Sequence, residues 1–130
     1  VARQNAKING VEINFIHQDI LISNVLPKVD IIVSNPPYVL ESEKEMMFDN
    51  VLKYEPHLAL FVSDKNPLLF YNKIAKLAFE SLNNNGKLFF EINEQFADKT
   101  IVMLSKIGFV DIKLKKDIND KDRMIKATKN

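Results

Sequence analysis

The sequence predicts a single α/β domain whose mostly parallel sheet ends in an antiparallel hairpin. Three observations predict this fold class: strand-like segments recur along the chain, two longer segments with apolar residues at helical spacing lie between them, and a short polar turn separates the last two strand-like segments. The length of 130 residues fits one ordinary domain, and no internal repeat or flexible linker divides it.

The first half of the chain is predicted to form one helix and two strands. Residues 1–9 form the helix, which ends at Gly10 because glycine readily adopts the left-handed conformation of a helix C-cap. Residues 11–17 alternate apolar and polar side chains and predict a strand. Residues 29–33 are nearly all apolar, which is typical of a strand buried on both faces of a parallel sheet. Residues 41–53 predict an irregular acidic segment with a helical turn.

The second half is predicted to alternate helices and strands, the order expected of an α/β domain. The predicted elements are a helix over 67–82, a turn at 83–86, a strand over 87–92, a helix over 95–107 closed by Gly108, and strands over 109–115 and 123–128 joined by a polar turn. Because that last turn is short, the final two strands are expected to be antiparallel neighbours.

The composition excludes several classes of protein and site. Hydrophobic residues make up 46% and charged residues 27%, as expected of a globular rather than a disordered chain. The net charge of +1 provides no broad basic field for non-specific nucleic-acid binding. The absence of Cys excludes disulfides, Cys-based zinc sites and a cysteine nucleophile, and is compatible with the expected cytoplasmic location. No apolar run is long enough for a membrane span, and no metal site is expected at His17 or His57.

The glycine count is the most informative number in the composition. The chain has three glycines, Gly10, Gly86 and Gly108, and no two of them are close in sequence. A glycine loop that cradles a phosphate or cofactor needs at least two glycines within a few residues. These 130 residues therefore contain no such loop.

One motif, Asn35-Pro36-Pro37-Tyr38, follows the apolar strand at its carboxyl end, where open α/β sheets place ligand sites. The prolines donate no backbone N–H and form a stiff segment with free carbonyls. Asn35 adds a side-chain oxygen and Tyr38 a flat face. Together they suit a planar nitrogen group, with one hydrogen bonded to the Asn35 oxygen, the other to the Pro36 carbonyl, and the flat body stacked on Tyr38.

An amide or aromatic amine bound in this way is a poor nucleophile, which hydrogen bonds and in-line placement against an electrophile would assist. No general base is evident near the motif, because the nearest acids, Glu41 and Glu43, lie in a polar loop. The alternative is an Asn-Pro turn that only terminates a strand. Asp19 favours a ligand site, since its carboxylate follows the preceding predicted strand and could accept from an adenine amine.

The chain resembles the protein-glutamine methyltransferases that modify peptide-chain release factors, the HemK/PrmC family. The Asn-Pro-Pro-Tyr motif is shared with amino methyltransferases of DNA and RNA, whereas Tyr54-Glu55-Pro56 followed by residues 60–64 (LFVSD) is much more particular to this family. The resemblance runs along essentially the whole chain and is carried by residues 2–6, 18–19, 31–38, 54–56, 60–64, 86–92 and 108–109.

The resemblance implies S-adenosylmethionine as cofactor and a release-factor glutamine amide as acceptor. Asn35, Pro36, Pro37 and Tyr38 would then bind the glutamine, and Asn35 would also border the methionine part of the cofactor. Asp19 and Ile20 would lie by the adenine, although many family members carry an aromatic residue where Ile20 stands. Glu55 either braces the loop after Tyr38 or is a solvated charge, and the resemblance favours bracing.

The resemblance also implies a partial Rossmann-like class I methyltransferase fold, because several family features have no counterpart in the sequence. These are an N-terminal helical domain, an Asp-x-Gly-x-Gly segment and an acidic residue that holds the ribose. Residues 1–130 are therefore expected to be the C-terminal portion of the catalytic domain, without the first two strands, and to be inactive alone. The strand over 29–33 would then be an exposed apolar edge, through which the chain is expected to self-associate or to exchange its N-terminal segment.

Two other functions compete with a protein-glutamine methyltransferase. An amino methyltransferase of DNA or RNA would use the same Asn35-Pro36-Pro37-Tyr38 motif, but the near-zero net charge and the Tyr54-Glu55-Pro56 segment oppose it. A non-enzymatic interaction domain could retain the fold without the cofactor loop. No membrane partner is expected.

Overall fold

The computed structural model describes residues 1–46 and 56–130. Its first elements are helix α1 (Ala2–Ile8), strand β1 (Val29–Ser34), strand β2 (Val39–Leu40), a 3₁₀ helix (Glu41–Met46), helix α2 (His57–Leu60) and strand β3 (Phe61–Val62). Helix α3 (Leu69–Ser81), strand β4 (Leu82–Glu91), a second 3₁₀ helix (Glu94–Phe96), helix α4 (Ala97–Ile107) and strands β5 (Val110–Lys116) and β6 (Asp122–Thr128) follow. Among the described helices, none has the length and apolar character needed to cross a membrane.

Four strands form the main sheet, in the order β1-β4-β6-β5, and β2 pairs with β3 in a separate parallel pair. Strand β1 is parallel to β4, and β6 is antiparallel to both β4 and β5. The α/β class and the C-terminal hairpin are confirmed. The described main sheet is mixed rather than mostly parallel. Strand β6 lies between β4 and β5 and is antiparallel to both, so only the pairing of β1 with β4 is parallel.

One face of the main sheet packs into the core with helices α3 and α4. Leu88 and Phe90 of β4 lie opposite Ala127 and Ile125 of β6, and all four side chains are buried. They share a face because side chains alternate along a strand. Tyr71 of α3 packs edge-on against Phe90, with the ring centroids 5.2 Å apart. The predicted helices are confirmed at 69–81 and 97–107, and Gly108 ends the second with a φ of 117°.

Strand β1 lies at the end of the described sheet, and no residue within 1–46 and 56–130 buries its second face. Ile31 is 58% exposed and Val33 is 76% exposed. The prediction that this strand is buried on both faces is therefore wrong for the described residues, since the core covers only the face that carries Ile32. The expected exposed apolar edge is present.

The predicted strand over 11–17 is also wrong. After α1, Gly10 takes the left-handed conformation with a φ of 63°, as predicted, and residues 11–19 then have no regular structure. Val11, Ile13 and Ile16 are each more than half exposed. Alternating side chains are insufficient for a strand, because its backbone groups need a neighbouring strand to bond, and no described strand pairs with this segment.

The predicted turn at 83–86 lies inside β4 as a bulge. Its residues separate the pairing of Val29 with Leu82 from that of Ile31 with Lys87. Asn85 has a φ of 62°, and a Cβ at Gly86 would lie 2.8 Å from the Asn83 carbonyl oxygen. The chain therefore turns where predicted, but pairing with β1 on both sides makes the turn part of the strand.

Candidate active site

The Asn35-Pro36-Pro37-Tyr38 segment connects the two sheets, because β1 ends at Ser34 and β2 begins at Val39. It lies at the carboxyl end of β1, as predicted. Asn35 is exposed, Pro36 is buried, and Pro37 and Tyr38 are partly buried. The stiff proline pair is therefore anchored in the protein, while the Asn35 side chain faces solvent.

A cavity of about 490 Å³ lies along one side of this segment. Its lining includes Asn35, Pro36 and Pro37, together with the apolar side chains of Ile20 and Phe70. The structure thus brings Ile20, one of the predicted adenine-binding residues, to the same cavity as Asn35. Apolar walls with a few polar groups are typical of small-molecule sites.

Asp19 does not belong to the lining of that cavity. Its Oδ1 accepts a hydrogen bond from the Leu21 N–H at 2.9 Å, and its carbonyl oxygen accepts from the N–H and hydroxyl of Ser23. The side chain therefore stabilises its own turn, beside Ile20. A contact between Asp19 and adenine stays a prediction.

A second cavity, of about 600 Å³, opens on the exposed face of the sheet and also reaches Asn35. Its apolar floor includes Val33, Phe89 and Met124, and three lysines, Lys113, Lys115 and Lys126, contribute to its lining. Asn35 consequently lies between two cavities, one on each side of the sheet.

The phenol of Tyr38 is held by a carboxylate of the neighbouring strand. Its hydroxyl donates to Oε1 of Glu91, the last residue of β4, at 2.6 Å. Burial, together with the Glu91 carboxylate, raises the pKa of Tyr38 to about 12. Tyr38 therefore remains protonated at neutral pH and presents a fixed ring rather than a base.

The backbone of Tyr38 is held by Asn93. The Asn93 Nδ2 donates to the Tyr38 carbonyl oxygen at 3.2 Å, and its Oδ1 accepts from the Gln95 N–H at 3.0 Å. Asn93 is only 7% exposed and caps the 3₁₀ helix that follows β4. A buried amide bonded on both of its ends is a rigid support for the segment it contacts.

Glu43 completes this network from the loop after the motif. Its carboxylate accepts from the Leu40 N–H at 2.8 Å, from Gln95 Nε2 at 2.7 Å and from Asn93 Nδ2 at 3.2 Å. The sequence places Glu43 in a polar loop, whereas the structure shows that it links this loop to the end of β4. Glu55 lies outside the described residues.

Glu91, Asn93 and Glu43 are thus the site residues that sequence reasoning missed. A signal existed for Glu91 and Asn93, because they lie at the carboxyl end of a strand and parallel neighbours end at the same edge of a sheet. No comparable signal existed for Glu43, since the sequence of a loop does not indicate which distant residues its side chains will bond. Within residues 1–46 and 56–130, no group of three His, Cys, Asp or Glu side chains could hold a metal ion.

No protein-family model matches the chain, but several curated proteins do. The chain is 53% identical over 127 residues to the release factor glutamine methyltransferase of Flavobacterium psychrophilum, covering 97% of this chain and 45% of that protein. It is 44% identical over 131 residues to the protein of the same name from Bacteroides thetaiotaomicron, covering 99% of this chain and 47% of that protein. The chain therefore spans a little under half the length of these relatives.

Solved structures confirm the fold. A methyltransferase from Pyrococcus furiosus matches 99% of this chain and 56% of its own, with a TM-score of 0.63 and 21% identity. TrmN from Thermus thermophilus matches 99% of this chain and 32% of its own, with a TM-score of 0.57 and 16% identity. The architecture is thus part of a Rossmann-like methyltransferase fold, and the sequence identities show that the chain belongs to the release factor glutamine methyltransferase family.

Proposed function

We propose that this chain carries the acceptor-binding part of an S-adenosylmethionine-dependent enzyme that methylates the side-chain amide nitrogen of a glutamine in a peptide-chain release factor. The observation that carries the proposal is the Asn35-Pro36-Pro37-Tyr38 segment, anchored at the carboxyl end of β1 and beside two cavities, in a chain 53% identical to a protein named for that activity.

The segment suits a primary amide because it offers acceptors to both amide hydrogens. The Asn35 side-chain oxygen and the Pro36 carbonyl oxygen would each accept one N–H, and the Tyr38 ring would cover the flat amide. An amide nitrogen is a weak nucleophile, so the contribution of these residues is orientation and electrostatic support rather than removal of a proton before attack. The raised pKa of Tyr38, about 12, agrees with such a role, because a phenol that stays protonated is not a base at neutral pH.

S-adenosylmethionine would supply the electrophilic methyl group. The cavity of about 490 Å³ fits part of this cofactor, since it combines an apolar wall at Ile20 and Phe70 with the polar side chain of Asn35. Asn35 would border the methionine part, and Ile20 and Asp19 would lie by the adenine. The 130 residues contain no closely spaced glycines for a cofactor loop, so we propose that residues 1–130 form the C-terminal portion of the catalytic domain and do not catalyse the transfer alone.

The proposal is tested by methyl-transfer assays with radiolabelled S-adenosylmethionine. The protein encoded by the reading frame that contains this sequence is expected to label a release factor, and Asn35→Ala is expected to reduce the rate at least a hundredfold. Asn119→Ala, in the exposed hairpin turn, is the matched control and is expected to retain full activity. The isolated chain is expected to show no labelling above background.

Labelling of oligonucleotides instead of the release factor would contradict the proposed acceptor and favour a DNA or RNA amino methyltransferase. Calorimetric titration of the isolated chain with S-adenosylhomocysteine tests the cofactor half-site separately. Measurable binding that is lost in Ile20→Asp would support the assigned cavity, whereas unchanged binding in that variant would place the cofactor elsewhere.

A further inference from the structure

We infer that the carboxyl end of β4 positions the acceptor-binding segment, with Glu91 and Asn93 as positioning residues that hold the two ends of Tyr38. This inference rests on the proposed function, because it assigns these residues to the acceptor site. It concerns how the segment is oriented and adds no residue that touches the acceptor.

The first contact fixes the side chain of Tyr38. The phenol donates to Glu91 Oε1 at 2.6 Å, a distance typical of a strong hydrogen bond from a hydroxyl to a carboxylate. The phenol oxygen lies at the far end of the side chain, so a bond there fixes the direction in which the ring extends from the backbone. A ring held in one position is what stacking on a flat amide requires.

The second contact fixes the backbone of Tyr38. Asn93 Nδ2 donates to the Tyr38 carbonyl oxygen at 3.2 Å. Glu43 accepts from the same Nδ2 at 3.2 Å and from the Leu40 N–H at 2.8 Å. The chain on the carboxyl side of the motif is therefore tied to Asn93 directly and through Glu43. The rigid Pro36-Pro37 pair connects this tied end to Asn35.

The end of β4 is itself held from two sides, so it can serve as a rigid support. The Tyr71 hydroxyl of α3 donates to the Glu91 carbonyl oxygen at 3.1 Å. From β6, Arg123 accepts the Ile92 N–H at its carbonyl oxygen at 2.9 Å, and its Nη1 donates to the Ile92 carbonyl oxygen at 3.2 Å. Tyr71 is fully buried, which adds to the rigidity.

The contacts from Glu91 and Asn93 together determine the position of Tyr38. If the phenol contact is lost, the ring can swing away from its position, and if the carbonyl contact is lost, the segment can shift along the sheet edge. A displacement of about 1 Å at a reacting group is sufficient to lower a rate substantially while binding changes little. Loss of either residue is therefore expected to lower kcat more than it raises KM.

The first test uses this chain and follows the ionisation of its tyrosines by ultraviolet absorbance. Glu91→Ala is expected to make Tyr38 titrate at a lower pH than in the unmodified chain, and Glu91→Gln, which keeps an acceptor oxygen, is expected to give an intermediate value. Tyr38→Phe lacks this phenol, so the absorbance change that disappears in this variant belongs to Tyr38. Glu94→Gln is the matched control, because Glu94 bonds Lys121 and is expected to leave the titration unchanged.

A Tyr38 titration that is the same in Glu91→Ala, Glu91→Gln and the unmodified chain, with circular dichroism showing all three folded, would overturn the assignment of Glu91. This outcome does not depend on catalysis, so it is distinguishable from a failure of the proposed function.

The second test measures methyl transfer in the protein encoded by the reading frame that contains this sequence. Glu91→Ala and Asn93→Ala are each expected to lower kcat about tenfold or more, with KM for the acceptor changed less than about threefold. Glu91→Gln is expected to recover part of the rate because it still accepts from the phenol. A rise in KM with unchanged kcat, or no recovery in Glu91→Gln, would overturn the inference.

Discussion

The two ends of the four-stranded sheet expose different side chains. At the β1 end, Ile31 and Val33 are 58% and 76% exposed. At the β5 end, the exposed residues include Lys113 and Lys115, and the pairing with β6 is interrupted by two register shifts. Lysines and bulges at an edge discourage pairing with another chain. The β5 end is therefore suited to face solvent, whereas the β1 end has the properties of a covered surface.

The site lies at the unprotected end. Asn35 directly follows β1, and the cavity on the open face is lined by Val33 and Asn35 together. Any chain that covers the β1 end would therefore approach the motif.

The largest expected effect is the difference in stability loss between a substitution at the centre of the sheet and one at its β1 end. Phe90 is 2% exposed in the core, so Phe90→Ala is expected to lower the free energy of unfolding by about 3–5 kcal/mol. Val33→Ala is expected to change it by at most about 0.5 kcal/mol. Urea unfolding of dilute, monomeric protein measures both. A loss in Val33→Ala close to that in Phe90→Ala would show that Val33 is covered even in the monomer.

The next effect concerns association through the β1 end. We propose that the isolated chain self-associates there, because β1 has a strand neighbour on one side only among the described residues and exposes Ile31 and Val33. Val33→Lys is expected to raise the dissociation constant at least tenfold in sedimentation measurements. The reverse change, Lys115→Val, is expected to increase association by removing a lysine from the β5 end. A monomeric unmodified chain at high concentration would contradict the proposal.

A smaller effect is expected in alkali and arises near the β1 end. The pKa of Tyr38 is raised to about 12 from an ordinary value of 10.0, so between these pH values the unfolded chain releases a proton that the folded chain keeps. Stability is therefore expected to fall as pH rises through this range. Tyr38→Phe should reduce the fall, as measured by urea midpoints at several alkaline pH values. An identical fall in Tyr38→Phe would assign it to other groups.

The smallest effect is expected in acid and arises at the β5 end. Hydrogen bonds from the Lys121 and Asn119 N–H groups and from Arg123 hold the pKa of Asp117 below its usual 3.8. Its contribution is present above that value and is lost as pH falls through the lowered pKa. Asp117→Asn keeps an acceptor for the turn but should remove this acid dependence. Urea midpoints in mild and strong acid measure it, and an unchanged acid dependence would contradict the assignment.

Much of the fold was predictable because it depends on local sequence. The apolar spacing of α3 and α4 and the left-handed Gly108 are properties of neighbouring residues, and both helices form where predicted. The hairpin of β5 and β6 follows from a short polar turn. By contrast, the alternation at 11–17 did not produce a strand, because strand formation requires a partner that no local pattern supplies.

The same division holds for the site. The order of residues alone shows that an asparagine, two prolines and a tyrosine follow an apolar strand, and hence that a stiff segment with free acceptors lies at the sheet edge. The folded chain was needed to show that Glu91 holds the phenol of Tyr38, that Asn93 and Glu43 hold the backbone, and that Ile31 and Val33 of β1 are exposed. The difference arises from distance along the chain: backbone stiffness arises between adjacent residues, whereas hydrogen bonds between residues about 50 positions apart exist only after the sheet has brought them together.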